Sequence, residues 1–234
     1  MDQEFIFSKE GIYLHSRLKP CSPAVAEEAF SRLPVLRYHD LAFVPYLHLQ
    51  NGGLVMKDQR YLREVGISEE EWLEAAWQNE RNRTPMLKSL PDLLREKMPP
   101  GTADVPTEAY PYFFAYEDEP YGSTILLNQQ ALDAAAESLG RKQLIFLPSS
   151  AHELLIAPEQ MSSRELQAMV YEINRSGVVE PREMLSDCIY RYDSFTKEMR
   201  RYDGICWQTD VMEKKYTQNR THERKRPDDH EMEF

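Results

Sequence analysis

Ser149, Ser150, His152 and Glu153 sit together in residues 144–157 (LIFLPSSAHELLIA), between two short apolar runs. A serine held against a histidine base, with a distant acid such as Asp187 to orient the ring, is the constellation of a nucleophilic hydrolase. Such a site also needs donors for the developing oxyanion. No G-x-S-x-G elbow is present to present the serine. The plain structural alternative is a turn whose hydroxyls satisfy nearby backbone groups, and the sequence favours it. His152-Glu153 also matches half of an HExxH zinc motif, but Ile156 stands where the second histidine is needed. No metal is therefore expected, and with no P-loop or dinucleotide fingerprint among its nine glycines no cofactor is expected either.

A second chemistry is available further on. Tyr190, Arg191 and Tyr192, followed by Lys197, Arg200, Arg201 and Tyr202, interleave aromatic and basic groups. That pattern can stack bases and meet phosphates. The whole chain opposes it: 28 Lys+Arg against 39 Asp+Glu give a net charge of −11, which repels a phosphate backbone. Nucleic acid is disfavoured, and the pattern reads as a strand and a solvated segment. Glu69, Glu70 and Glu71 could attract a cation. Adjacent glutamates on a helix diverge, however, and acidic residues at a helix start offset the macrodipole. The three cysteines, Cys21, Cys188 and Cys206, form no CxxC pair and suggest neither a zinc site nor a disulfide framework.

These residues need elements to position them. Residues 5–7 and 12–14 predict a small hairpin around Lys9-Glu10-Gly11. Ser22-Pro23 starts a helix that Pro34 stops. Residues 41–49 (LAFVPYLHL) read as a strand, with Pro45 implying an edge or a bulge. Asn51-Gly52-Gly53 turns it into a return strand, and Asp58 caps a short helix ended by Gly66. Ser68 with Glu71, and Ser162 with Glu165, have capping-box spacing, each with an apolar staple: Ile67 and Trp72, Met161 and Leu166. Another short helix is expected over residues 89–98. Residues 110–116 and 123–127 (STILL) predict two further strands before an Asn128-capped helix that ends at Gly140. The order strand, turn, strand, capped helix, glycine thus occurs twice, which suggests two related ββα units. Residues 144–157 predict two strands and a turn, and residues 189–195 alternate like a strand.

The fold class that follows is α+β, a largely antiparallel sheet built from hairpins with helices on one face. Residues 1–39 read as an N-terminal extension and residues 40–210 as a single domain, with a candidate sub-boundary at 99–106. Residues 211–234 read as a disordered charged tail. The first residues, MDQEFIFSKEG, have no signal-peptide character, and no stretch approaches a membrane span, so a cytoplasmic protein without membrane contact is expected.

Three segments then carry a resemblance. DLAFVPYLHL with GISEEEWLEAAWQNERNRTP, YGSTILLNQQALDAAAESLG, and LIFLPSSAHELLIAP with VVEPREMLSDCIYRYD are similar to an uncharacterised Clostridia-type bacterial family known only as a domain of unknown function. The likeness spans about residues 40–193, with Leu-Pro-Ser-Ser-x-His-Glu its most specific piece. It implies a bacterial, cytoplasmic protein and supplies no catalytic residue. The resulting expectation is a non-catalytic binding module with a protein partner. The alternatives are a hydrolase centred on Ser149, Ser150 and His152, and nucleic-acid binding through residues 190–202.

Overall fold

The computed structural model describes residues 3–49, 52–97, 110–118, 120–148 and 150–216. The sub-boundary expected at 99–106 and the tail beyond residue 216 lie outside the described residues. The chain begins with two short helices, α1 (Gln3–Ile6) and α2 (Lys9–His15), where the apolar spacing predicts a hairpin. Ser8 caps α2 by accepting the Gly11 N–H at 3.1 Å. A Cβ at Gly11 would collide with the Phe5 carbonyl and the Ile6 backbone. Close packing of one helical turn on the next, with Ile6 and Ile12 buried, outweighs the local strand pattern.

There follow β1 (Ser16–Cys21), α3 (Pro23–Ala29), β2 (Val35–Tyr38), β3 (Leu41–His48), β4 (Leu54–Val55), α4 (Gln59–Glu64) and α5 (Glu69–Arg81). Next come β5 (Pro85–Ser89), α6 (Leu90–Lys97), β6 (Tyr112–Tyr116), a 3-10 helix (Gly122–Leu127), α7 (Gln129–Leu139), β7 (Gln143–Leu147) and β8 (Leu154–Ile156). The chain closes with α8 (Ser163–Arg175), β9 (Ile189–Asp193), β10 (Glu198–Tyr202), β11 (Trp207–Gln208) and β12 (Glu213–Lys215).

The strands form two sheets. The first runs β1-β3-β2-β12, with β4 also paired to β3, and the second runs β11-β10-β9-β7-β8-β6-β5. Every pairing among the described residues is antiparallel. The α+β class is therefore as expected. Residues from both expected flanking segments take part in the first sheet. β1 and β2 flank β3, so much of the supposed N-terminal extension is built into the first sheet. Residues 213–215 pair with β2, so the supposed tail starts with a strand.

Pro45 lies inside β3, opposite Leu18 of β1. The Leu18 N–H points away from β3, to Glu80 Oε1 at 2.9 Å. Leu18 and Pro45 are thus a non-hydrogen-bonded pair, and the N–H that proline lacks would face the other side of β3. There β2 reaches only Phe43 and β4 begins at Leu47. The proline fills a gap where no ladder bond is lost.

Capping signals place the helices well. Both capping boxes are formed, at Ser68/Glu71 and Ser162/Glu165. Asn128 accepts the Ala131 N–H, and Gly140 ends α7 with φ 64°. Residues 123–127 depart from expectation. They belong to the 3-10 helix, so the second ββα unit has one strand where the first has two. The helices also divide between both faces of the second sheet. Leu144, Phe146, Tyr190 and Tyr192 pack with Ala131, Leu132, Ala135 and Ala136 of α7. The alternate residues Leu147 and Ile189 pack with Leu166 and Val170 of α8.

Candidate functional site

Three of the residues singled out in the sequence, Ser150, His152 and Glu153, lie between β7 and β8. Ser149 lies outside the described residues. Ser150 Oγ donates to Glu153 Oε1 at 2.9 Å and accepts the His152 backbone N–H at 3.1 Å. Its hydroxyl is thus engaged with the turn, not with the His152 ring. The His152 ring lies nearly parallel to Tyr121, at 5.8 Å and 19°. Its Nε2 is 3.5 Å from Glu183 Oε1.

The Asp187 carboxylate is engaged with other partners. Arg175 grips both its oxygens, at 3.1 and 3.0 Å, and Asn174 Nδ2 donates at 2.9 Å. The Arg175 hydrogen bonds hold its carboxyl below the usual range. With Asn174, Arg175 and Ser186 it lines a shallow cleft of about 410 Å³. Tyr190 and Tyr192 are core residues, 0% and 1% exposed, whose hydroxyls donate to Asp40 and Asp133 at 2.6 and 2.7 Å. Arg191 lies 4.4 Å over the Trp207 ring.

Tyr121 leads from His152 to a group of residues that the sequence did not mark. It takes the left-handed conformation, φ 63°. The next residue must be glycine, because a Cβ at Gly122 would collide with the His152 carbonyl and the Ala115 side chain. Lys19 of β1 donates to the Tyr121 hydroxyl at 2.8 Å and lies 3.9 Å from its ring centre. Tyr121 in turn meets Tyr46 of β3 edge-on, at 5.6 Å.

Tyr46 faces Arg17 across the β1–β3 ladder, so the two side chains share a face of the sheet. His48, two residues on from Tyr46, meets the Tyr46 ring edge-on at 6.4 Å. His15, two residues before Arg17, lies close enough for its charge to act on His48. Around Arg17 the hydrogen-bonding capacity is unspent. Among the described residues seven side-chain atoms are buried without a partner, and three of them belong to this group: Tyr46 Oη, His15 Nε2 and His48 Nδ1. Such atoms are uncommon in native proteins, and a water or a ligand is what ordinarily satisfies them. Burial, and then the Arg17 charge, lower the proton affinity of both histidines. Burial and the Glu80 carboxylate raise that of the Tyr46 phenol.

Beneath this patch lies a buried ionic network. Glu80, fully buried on α5, accepts from Leu18 N at 2.9 Å, Arg83 Nη1 at 2.8 Å and Thr124 Oγ1 at 2.5 Å. Arg83 lies 4.1 Å over the Tyr116 ring, and its Nε donates to Asp118 at 2.9 Å. Its Nη2 donates to the Pro120 carbonyl at 3.0 Å and to the Asp118 carbonyl. One carboxylate thereby joins the β1 edge, the end of α5 and the 3-10 helix that carries Tyr121. Arg17 itself has one ion pair among the described residues, to Asp118 at 3.9 Å, too long for a hydrogen bond.

The three adjacent glutamates do not act together: the Glu71 carboxylate closes the Ser68 capping box. Among the described residues no group of three or more His, Cys, Asp or Glu side chains gathers as a metal ion would need. No described helix is long and apolar enough to cross a membrane.

The protein is thus of the α+β class, with a basic, histidine-bearing sheet face set over a buried ion pair. The chain belongs to a family of unknown function, DUF5688, which it matches over residues 15–194. The match begins well before residue 40 and takes in His15, Arg17 and Lys19. No curated protein and no solved structure matches the chain.

Proposed function

We propose that the protein is a non-catalytic binding module whose recognition site is the face formed by His15, Arg17, Tyr46 and His48, and that its ligand is anionic. One observation carries this reading: a fully buried tyrosine hydroxyl and two buried histidine nitrogens lack partners around an arginine that has no hydrogen bond of its own among the described residues. A buried polar group left unpaired costs about 1–3 kcal/mol. A site that bears such costs without a ligand recovers them when a ligand arrives. Arg17 keeps 23% of its side chain exposed, which gives an approach from solvent. The net charge of −11 turns away polyanions, so the ligand is a compact anion, free or presented by a partner.

Tyr46→Phe separates binding from stability. Removing an unpaired buried hydroxyl should leave the fold intact and raise the unfolding free energy by about 1 kcal/mol. The same change should weaken anion binding. Urea denaturation and a calorimetric titration read the two effects. If Tyr46→Phe is less stable than the parent, the hydroxyl is paired in the fold and the reading loses its main support.

A further inference from the structure

We infer that the anion is a phosphate dianion, free or as a small phosphate monoester. This rests on the binding reading above and narrows it. The argument is one of donor number and direction. A carboxylate offers two coplanar oxygens, and one arginine fork satisfies both. Arg17 alone would then serve it, and the Tyr46 hydroxyl and the two imidazoles would stay unpaired. A phosphate dianion presents terminal oxygens in three directions out of a single plane. That count suits a fork from β1 together with a phenol and an imidazole from β3, and a second imidazole from the end of α2. Each imidazole nitrogen can donate once the proton resides on it.

The surrounding charges permit a dianion. Glu80 is offset by Arg83, Thr124 and the Leu18 N–H. Asp118 is offset by the Arg83 side chain at 2.9 Å. Among the described residues the Arg17 side chain meets only Asp118, at 3.9 Å, and donates no hydrogen bond; a guanidinium holds phosphate through paired N–H groups where an ammonium acts only as a point charge. Lys19 donates one hydrogen bond to the Tyr121 hydroxyl at 2.8 Å.

The test is a calorimetric titration of the full chain with inorganic phosphate, glycerol 1-phosphate and acetate at matched ionic strength. Histidine resonances of His15 and His48 are followed by NMR in parallel. Saturable phosphate binding that moves both histidines is expected. It should weaken by about tenfold or more in Arg17→Ala, because hydrogen bonds to a charged group are lost. Arg17→Lys, which keeps the charge but not the fork, should bind between the two and guards against a folding defect in the alanine variant. Preference between inorganic phosphate and the monoester shows which form the site takes. Equal binding of acetate and phosphate would overturn the phosphate assignment while leaving the anion site standing. Absence of any anion effect on His15 and His48, with Arg17→Ala unchanged, would overturn both.

Discussion

Glu80→Ala should lower the unfolding free energy by about 3–5 kcal/mol, the usual cost of removing one partner from a buried ion pair. The substitution leaves the Arg83 guanidinium, whose side chain is 2% exposed, with its charge less compensated. It also strips the acceptor from the Leu18 N–H and leaves the Thr124 hydroxyl only the Tyr121 carbonyl, at 2.9 Å. The damage extends beyond stability. Thr124 lies in the 3-10 helix three residues after Tyr121, and Leu18 lies between Arg17 and Lys19. Loosening both should blur the NMR signals of His15 and His48 as well as shift the urea midpoint. Replacing Glu80 and Arg83 together by methionine should cost less than Glu80→Ala, since no buried charge is then stranded. A Glu80→Ala loss below about 1 kcal/mol would mean that the carboxylate is not what joins these elements.

Trp72→Ala should cost about 3–5 kcal/mol, as for a large aromatic removed from a packed core. Trp72 is fully buried and packs in the cluster that holds Ile12, Leu47, Leu62 and Ile67. Its indole N–H donates to Ser16 Oγ at 2.9 Å. Ser16 stands between His15 and Arg17, so the tryptophan also fixes where those two side chains start. Trp72→Phe keeps most of the packing and loses the hydrogen bond, and about 1–2 kcal/mol is the expected loss. Urea midpoints with unchanged slopes would show that both variants act on the native state. Equal losses for the two substitutions would place the whole effect in the hydrogen bond, against the packing argument.

The helix ends were legible because their signals are local. Ser68 with Glu71, Ser162 with Glu165, and Asn128 with Gly140 each act within a few residues, and each forms as its spacing predicts. The STILL segment was not legible for the opposite reason. Its β-branched residues favour a strand, but the left-handed turn at Tyr121 and the crowding of Gly122 against His152 and Ala115 are tertiary facts. Strands β10, β11 and β12 are rich in charged and polar residues and carry no strong alternation, so their pairing is visible only in the sheets.

The site divides in the same way. The sequence drew attention to His152, which proves to border the group through its stack on Tyr121. It missed His15, Arg17, Tyr46 and His48, because the β1–β3 register that brings them together is a long-range fact. A faint signal was present. His15, Arg17 and Lys19 recur at every second residue, and so do Tyr46 and His48 within an otherwise apolar strand. Polar residues at period two on a buried strand must face something polar.

The pairing of β12 with β2 also has a bearing on how the chain is made. The first sheet is begun by residues 16–21 and closed by residues 213–215, so its final hydrogen bonds wait on nearly all of the intervening sequence. Until then the outer edge of β2 stays open through synthesis, a template on which another growing chain could pair. Folding of this sheet is therefore slow to complete by topology alone, and the second sheet's β5–β6 and β7–β8 pairs can form long before the first is sealed.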